Sequence, residues 1–192
     1  MSSIRLFILG ELARKGPMHG HQIRRAAQLD HIDVWTDVKP GSLYGGLRRM
    51  TAEGLVRQVR TERPGGHPER TVYEITQEGR HELEIHRSAA LRDARLRPDP
   101  VDLALTHAQD MPADSVLAAV QERRDSLEHQ RQSQLRLRDQ AEPYLTDLER
   151  LIFDHSLRRL GAELDWHDQL LSHLPKVLAT GDQEANDGSR HE

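Results

Sequence analysis

The first part of the chain alternates helical apolar patterns with residues that end helices. The apolar residues of the first pattern recur every three or four positions, as on one face of a helix: Ile4, Phe7, Ile8 and Leu12. Gly16 and Pro17 predict the end of this helix, because glycine suits the left-handed conformation of a helix C-terminus and proline cannot continue the helix. A second helix is predicted over residues 19–29, with Arg24 and Arg25 on its exposed face.

A third helix is predicted after a connector that has one short extended stretch at residues 34–38. Proline at position 40 is suited to a first helical turn, and the side chain of Ser42 can cap the helix there. The apolar residues of its buried face are spaced i, i+4 and i+7: Leu43, Leu47 and Met50. Gly54 ends the helix, which therefore spans about residues 39–54.

Residues 55–76 carry the clearest strand–turn–strand pattern in the chain. The apolar residues Leu55, Val56 and Val59 give way to polar residues, and a Pro-Gly-Gly-His-Pro turn follows at residues 64–68. Residues 71–76 are then rich in β-branched and aromatic residues. A fourth helix follows, with Thr76 as its N-terminal cap. Three helices, a two-stranded β ribbon and a fourth helix form the layout of a winged helix-turn-helix, in a chain that is mainly α.

A winged helix-turn-helix binds DNA by placing its third helix in the major groove, where residues near the start of that helix contact the bases. The ribbon, or wing, lies along the DNA backbone or enters the minor groove, where arginine is favoured. The alternative for the ribbon is an ordinary solvated hairpin. The candidate DNA contacts lie in helix 39–54 and in the wing: Lys39, Pro40, Gly41, Ser42, Tyr44, Gly45, Arg48, Arg49, Arg63, Gly65, Gly66, His67 and Arg70.

Two adjacent glycines interrupt the third helix, although glycine costs a helix about 1 kcal/mol relative to alanine. Gly45 lies on the face opposite Leu43 and Leu47, so a missing side chain there would let the helix backbone come close to a DNA duplex. For Gly46, close packing against the second helix is an equally good explanation.

Proline residues at positions 98 and 100 mark a domain boundary. We expect a DNA-binding domain over residues 1–97, a helical dimerisation domain over residues 98–180 and a disordered tail over residues 181–192. The second domain is predicted to contain a long helix over residues 113–140 and, after a break at Pro143, another that is kinked or ended by Pro175.

The last helix carries a heptad pattern that predicts a dimer interface. Its a and d positions hold six leucines and one histidine: Leu157, Leu160, Leu164, His167, Leu171, Leu174 and Leu178. A protein that reads two-fold symmetric DNA needs a device that spaces its two recognition helices by about 34 Å. The alternative is that this seam packs within one chain, against the helix over residues 113–140.

Charge separates the two halves of the chain. Residues 1–97 hold 17 Lys and Arg against 12 Asp and Glu, whereas residues 98–192 hold 10 against 19. The first half is therefore the one suited to a polyanionic partner, despite a net charge of −4 for the whole chain. There is no cysteine, and the longest apolar run near the N-terminus is far too short for a membrane span. We expect a soluble, cytoplasmic protein.

Residues for catalysis or metal binding do not form a pattern. The 12 histidines are scattered, with His19 and His21 as the closest pair and no cysteine or carboxylate at ligand spacing. No Ser-His-Asp order, phosphate loop or paired-carboxylate signature is present. We therefore expect no enzyme activity, no cofactor and no metal site.

Three stretches of the first domain resemble the PadR family of transcriptional regulators: "LFILGELARKGPMHGHQI", "PGSLYGGLRRMTAEGLV" and "GGHPERTVYEITQEGR". A weaker resemblance at "GAELDWHDQLLSHL" is similar to the last helix of members with a longer C-terminal domain. The resemblance implies a homodimer that binds a dyad-symmetric operator in double-stranded DNA. It further implies a repressor that a small-molecule effector releases.

Two tryptophans, Trp35 and Trp166, are candidates for lining an effector pocket, and core packing is the alternative for both. The rival function for the whole chain is an interaction adaptor, in which the winged helix no longer binds DNA and the acidic helical half binds a protein. A small-molecule-binding enzyme built on the helical half is a third hypothesis.

Overall fold

The computed structural model describes residues 3–29, 36, 38–63 and 69–188. The contacts within the chain divide it into two compact units, residues 1–95 and residues 96–192. No helix in the described part of the chain is long and apolar enough to cross a membrane.

The first unit is a winged helix-turn-helix, as the sequence predicts. Its described elements, in chain order, are α1 (Ser3–Lys15), β1 (Met18–His19), α2 (Gly20–Leu29), a 3-10 turn (Pro40–Ser42), α3 (Leu43–Ala52), β2 (Val56–Glu62), β3 (Arg70–Ile75) and α4 (Gln77–Arg92). Most of the connector between α2 and the 3-10 turn, including most of the extended stretch predicted at residues 34–38, lies outside the described residues.

The residues that end and begin these helices act as the sequence predicts. Gly16 follows α1 with a φ of 78°, and Gly54 follows α3 with a φ of 76°, a left-handed conformation that favours glycine. At the start of α4, the Thr76 hydroxyl accepts a hydrogen bond from the amide of Gly79 at 3.0 Å.

The core of the first unit is built from the apolar faces of α1, α2, α3 and α4 and from one end of the sheet. Its buried side chains include Ile8, Leu9, Leu12, Ile23, Leu43, Leu47, Met50, Val56, Ile75 and Leu83. Burial of these side chains, at roughly 25 cal/mol per Å² of apolar surface, is the main force that holds the helices together.

The sheet has three antiparallel strands in the order β1-β3-β2, one more than the predicted two-stranded ribbon. In the added pair, Met18 lies opposite Tyr73 and His19 opposite Val72. A two-residue strand has no detectable apolar period, which is why the sequence places His19 in the second helix instead. Strand β1 exists because the outer edge of β3 offers it backbone partners.

The second unit consists of helices, within the described residues: α5 (Pro100–Thr106), α6 (Ala113–Ala141), a 3-10 turn (Glu142–Tyr144) and α7 (Asp147–Gly188). Helices α6 and α7 pack along each other as a hairpin around Val116, Val120 and Leu174. The 3-10 turn holds Pro143, where the sequence predicts a break.

Helix α7 does not end at Pro175. It continues to Gly188, into the stretch 181–192 for which the sequence predicts a disordered tail. Proline removes one backbone donor but keeps a φ close to the helical value, so an established helix can continue past it at a cost of about 3 kcal/mol. Adding residues to an existing helix needs no new nucleation.

Candidate nucleic-acid interface

Helix α3 separates its side chains into a buried face and an exposed face. Leu43, Gly46, Leu47 and Met50 are buried in the core of the first unit. The opposite face holds Tyr44, 42% exposed, with Arg48 and Arg49 exposed one turn later. This face is polar, cationic and directed away from the protein.

The chain enters α3 through the 3-10 turn rather than through a side-chain cap. The Ser42 hydroxyl donates a hydrogen bond to the carbonyl of Lys39 at 2.7 Å, and the Ser42 amide donates to the same carbonyl at 2.9 Å. The prediction that Ser42 caps the helix is therefore wrong, because its hydroxyl is used to close the preceding turn. Lys39 and Gly41 are exposed at this entrance.

The two glycines of α3 have different surroundings. A Cβ atom added at Gly45 would have no heavy atom of the described residues within 4 Å, apart from its chain neighbours and the nearby backbone of its own helix, so this position faces open space. A Cβ atom at Gly46 would lie 2.6 Å from Cγ2 of Ile4 and 3.1 Å from Cδ1 of Ile8. Gly46 thus allows close helix packing, but against α1 and not against the second helix as the sequence suggests.

Tyr44 lies against the first residue of α2. A Cβ atom at Gly20 would be 2.7 Å from Cε1 of the Tyr44 ring and 3.5 Å from Cδ1 of Leu47. Glycine at position 20 therefore lets the aromatic ring of the third helix rest on the backbone of the second. This contact holds the Tyr44 ring against the start of α2.

The arginines of α3 have no anionic partner among the residues that the structure describes. Among the described residues, no salt bridge holds Arg48 or Arg49, whereas Arg57 and Arg60 on strand β2 pair with Glu74 and Glu62. Unpaired guanidinium groups on one exposed face leave a positive potential that attracts polyanions.

The wing is described in part. Arg63 is exposed just after β2, and Arg70 is half-buried at the start of β3 opposite Glu62. The turn residues 64–68, which include the candidates Gly65, Gly66 and His67, lie outside the described residues. The structure thus brings α3 and the two strands of the wing into one unit and leaves the wing tip as a prediction.

Helix α2 adds two arginines that were not among the candidate site residues. Arg24 and Arg25 are exposed on the side of α2 away from Ile23, Ala26 and Ala27, which are buried. In a helix-turn-helix the helix before the recognition helix crosses the DNA backbone. The signal was present in the sequence, since both arginines fall on the exposed face of the predicted helix.

The heptad seam of α7 is largely used within the chain. Leu164, His167 and Leu174 are buried, and Leu171 and Leu178 pack against the cluster that α6 contributes to. These residues therefore pack within one chain, as the intrachain alternative predicts. Leu157 and Leu160 are half-buried.

His167 is a polar part of this intrachain packing rather than an interface edge. The Nε of Arg123 donates to Nε2 of His167 at 3.1 Å, and Nδ1 of His167 lies 2.7 Å from the carbonyl of Glu163. Because arginine can only donate, Nε2 accepts and Nδ1 carries the proton. The same guanidinium binds Asp99 at 2.6 Å.

A different row of apolar side chains is exposed near the turn between α6 and α7. Tyr144, Leu148, Leu151 and Ile152 are between 41% and 87% exposed. Apolar side chains grouped in this way mark surfaces that bind other proteins more often than isolated exposed leucines do.

The residues suggested for an effector pocket are not brought together by the described structure. Trp35 lies outside the described residues, and Trp166 is half-buried with its ring edge-on to His167 at 4.7 Å. Within the described part of the chain, no group of three or more His, Asp and Glu side chains could hold a metal ion.

One protein-family model matches most of the first unit. Residues 8–85 match the Transcriptional regulator PadR-like family. No relative of this chain was found among curated proteins.

Solved structures share the fold over most of the chain. Bacillus subtilis PadR in complex with operator DNA is 18% identical, with a TM-score of 0.69, and the match covers 91% of this chain and 98% of that one. The Vibrio cholerae virulence activator AphA is 21% identical, with a TM-score of 0.71 and coverage of 91% and 99%. Bacillus subtilis PadR in complex with p-coumaric acid is 17% identical, with a TM-score of 0.65 and coverage of 90% and 98%. At these identities the similarity shows a common fold.

Proposed function

Since its N-terminal domain belongs to the PadR-like family of transcriptional regulators, we propose that this chain is a homodimeric repressor that binds a specific operator in double-stranded DNA. The observation that carries the proposal is the exposed face of α3, whose arginines have no salt-bridge partner among the described residues. The fold is shared with a protein that has been solved bound to operator DNA.

Helix α3 would enter the major groove with its N-terminal end towards the bases. Tyr44 and the turn at residues 39–42 would contact the bases and the nearest phosphates, and Arg48 and Arg49 would bind base edges or phosphates one turn later. The absence of a side chain at Gly45 lets the helix backbone lie close to the duplex between these contacts.

The wing and α2 would hold the DNA backbone on either side of the groove. Arg63 and Arg70 flank residues 64–68, whose glycine, histidine and proline residues predict a turn that can lie along a phosphate backbone or in the minor groove. Arg24 and Arg25 of α2 are exposed and unpaired among the described residues, as phosphate contacts need to be.

Two copies of the chain would bind the two halves of a dyad-symmetric operator. Leu157 and Leu160 of the α7 seam are half-buried, and the apolar row that starts at Tyr144 and ends at Ile152 is exposed near the turn between α6 and α7. We propose that this row is part of the dimer interface, because burying it in a second copy would remove apolar area from water.

Release by a small molecule is the last part of the proposal. A protein of this fold has been solved with p-coumaric acid, which supports the binding of a small molecule. Another protein of this fold is a virulence activator, so the sign of regulation needs its own test. We propose repression with release by an effector. Transcription from the bound promoter, measured with and without the protein, tests the sign of regulation directly.

The test of DNA binding is the double variant Arg48→Ala with Arg49→Ala. A good arginine contact to a base is worth about 1–3 kcal/mol, so losing two should lower operator affinity by about a hundredfold or more. The matched control is Arg158→Ala with Arg159→Ala, a second pair of adjacent exposed arginines on helix α7. Fluorescence anisotropy with a labelled operator measures the affinity, and sedimentation shows whether the dimer persists.

Normal binding by the Arg48 and Arg49 variant would mean that α3 is not the recognition helix. Equal losses in both double variants would show that the effect is one of net charge and not of the interface. A wild-type protein that binds no DNA at all would favour the adaptor hypothesis.

A further inference from the structure

His19 occupies an unusual place at the start of the helix-turn-helix. It is the residue before α2, and its Nδ1 accepts a hydrogen bond from the amide of Gln22 at 3.1 Å. In return, Oε1 of Gln22 accepts a hydrogen bond from the amide of His19 at 2.9 Å. This reciprocal pair is a capping box, in which a serine or threonine is the usual first residue and a glutamate or glutamine the usual last one.

The hydrogen bonds fix the form of the imidazole ring. A backbone amide can only donate, so Nδ1 of His19 must be without a proton. The ring therefore caps α2 in its neutral form, with the proton on Nε2. The protonated ring carries N–H groups on both nitrogens and cannot accept from Gln22.

Three parts of the DNA-binding unit meet at this corner. Strand β1 places His19 opposite Val72 of β3, which is a strand of the wing. The next residue, Gly20, is the first of α2 and carries the ring of Tyr44 against its backbone. The capping box thus lies between the wing, the second helix and an exposed side chain of the recognition helix.

We propose that His19 is a positioning residue for DNA binding: its neutral imidazole holds the first turn of α2 against wing strand β3 and beneath Tyr44, and its protonated form releases that turn. The inference rests on the proposed DNA-binding function. It adds a link between the wing and the recognition helix, and it makes that link dependent on pH.

The net effect of the surroundings of the His19 ring is to favour its neutral form. Burial lowers the pKa of His19 from its ordinary value of 6.5, Arg70 of β3 and His21 of α2 lower it further, and Glu62 of β2 and the backbone of His19 oppose them. Tyr44, whose ring lies against Gly20, is a further titratable side chain at this corner. A pKa that is lower in the folded than in the unfolded protein means that His19 contributes stability above about pH 6.5, which is lost as the pH falls through the folded-state value.

The variant His19→Asn separates capping from titration. Asparagine is among the best helix-capping residues and has no charge to gain, whereas His19→Ala removes the cap altogether. His21→Asn is the matched control, because His21 is a neighbouring histidine on the exposed side of α2 and is not part of the capping box.

Thermal unfolding without DNA and operator binding by fluorescence anisotropy are both measured at about pH 8 and about pH 5.5, which bracket the ordinary histidine titration. At the higher pH, His19→Asn should match the wild type, and His19→Ala should melt about 4–8 °C lower, the usual effect of a lost cap in a domain of this size. On acidification, the wild type and His21→Asn should lose more of their melting temperature than His19→Asn, and their operator affinity should fall at least about threefold relative to that of His19→Asn.

The proposal is overturned if His19→Asn shows the pH dependence of the wild type, or if His21→Asn removes it. If the wild type binds DNA, and all variants change equally with pH in melting temperature and in operator affinity, the role of His19 is rejected and the proposed function stands. A wild type that binds no DNA at either pH rejects DNA binding and with it the positioning role, even if unfolding confirms the cap.

Discussion

Replacing Gly45 with alanine should stabilise this protein and weaken its binding to DNA. The added methyl group meets no other element in the described part of the protein, since beyond the local helix backbone and the chain neighbours no heavy atom lies within 4 Å of the Cβ position. Alanine is a better helix former than glycine by about 0.8–1.0 kcal/mol in a helix interior. The free energy of unfolding should therefore rise by about 1 kcal/mol.

The effect on DNA binding has the opposite sign, because the space in front of Gly45 is where the duplex is proposed to lie. A methyl group there would keep the α3 backbone away from the duplex and lengthen the contacts of Arg48 and Arg49 in the next turn. Losing one good base contact costs about 1–3 kcal/mol, so operator affinity should fall by about tenfold or more.

The neighbouring variant Gly46→Ala is the control, because it adds the same methyl group to the buried face of the same helix. Its Cβ would lie 2.6 Å from Cγ2 of Ile4, a methyl group next to the Ile4 backbone that cannot swing away freely. Overpacking of this kind costs about 1–3 kcal/mol, which exceeds the gain in helix propensity. This variant should be less stable than the wild type.

Urea unfolding and fluorescence anisotropy on a labelled operator measure the two quantities for both variants. A Gly45→Ala protein that is stabilised and binds the operator as tightly as the wild type would refute the close approach of this helix to DNA. A Gly45→Ala protein that is destabilised would refute the open surroundings of position 45.

Two further predictions concern the second unit. A fragment that ends at residue 97 should stay folded, since the first unit has its own core. The fragment should be monomeric and bind the operator much more weakly than the full chain. A fragment that is dimeric in sedimentation experiments would place the main interface in the first unit. Leu151→Glu should weaken the dimer, whereas the control Leu103→Glu should leave it unchanged. The two leucines are equally exposed, at 66% and 65%. Equal effects of the two variants in sedimentation experiments would argue against the row from Tyr144 to Ile152 as the interface.

The parts of the fold that depend on local chemistry follow from the sequence. Gly16 and Gly54 end helices because few other residues adopt a left-handed conformation without strain, and both have a positive φ. Thr76 caps α4 because its hydroxyl reaches an amide three residues along the same chain. The outward face of α3 is fixed by the spacing of Leu43 and Leu47, which places Arg48 on the other side.

The parts that depend on which elements meet in space could not be predicted. Strand β1 arises from pairing with β3, more than fifty residues away, and two residues carry no pattern of their own. The neighbour of Gly46 proved to be α1, because helix periodicity shows which face is buried but not against what.

The heptad seam illustrates the same limit for the second unit. The repeat marks an apolar face of α7, and an apolar face is equally satisfied by a helix of the same chain or of another. Here Arg123 of α6 reaches His167 and closes the seam within the chain at that point. The capping role of His19 was hidden for a related reason, since histidine is not a usual capping residue and its partner strand is distant in sequence.

The measurement that tests the central claim most directly is fluorescence anisotropy of the purified protein with tiled duplexes from its own upstream region, at about 50 and about 200 mM salt. Specific recognition predicts tight binding to one dyad-symmetric tile, with affinity that falls by roughly a thousandfold or more between the two salt concentrations as phosphate contacts are lost. Equal, weak binding to every tile would mean that the specific target is not in this region. No binding to any duplex at either salt concentration would contradict the proposal that this chain is a DNA-binding regulator.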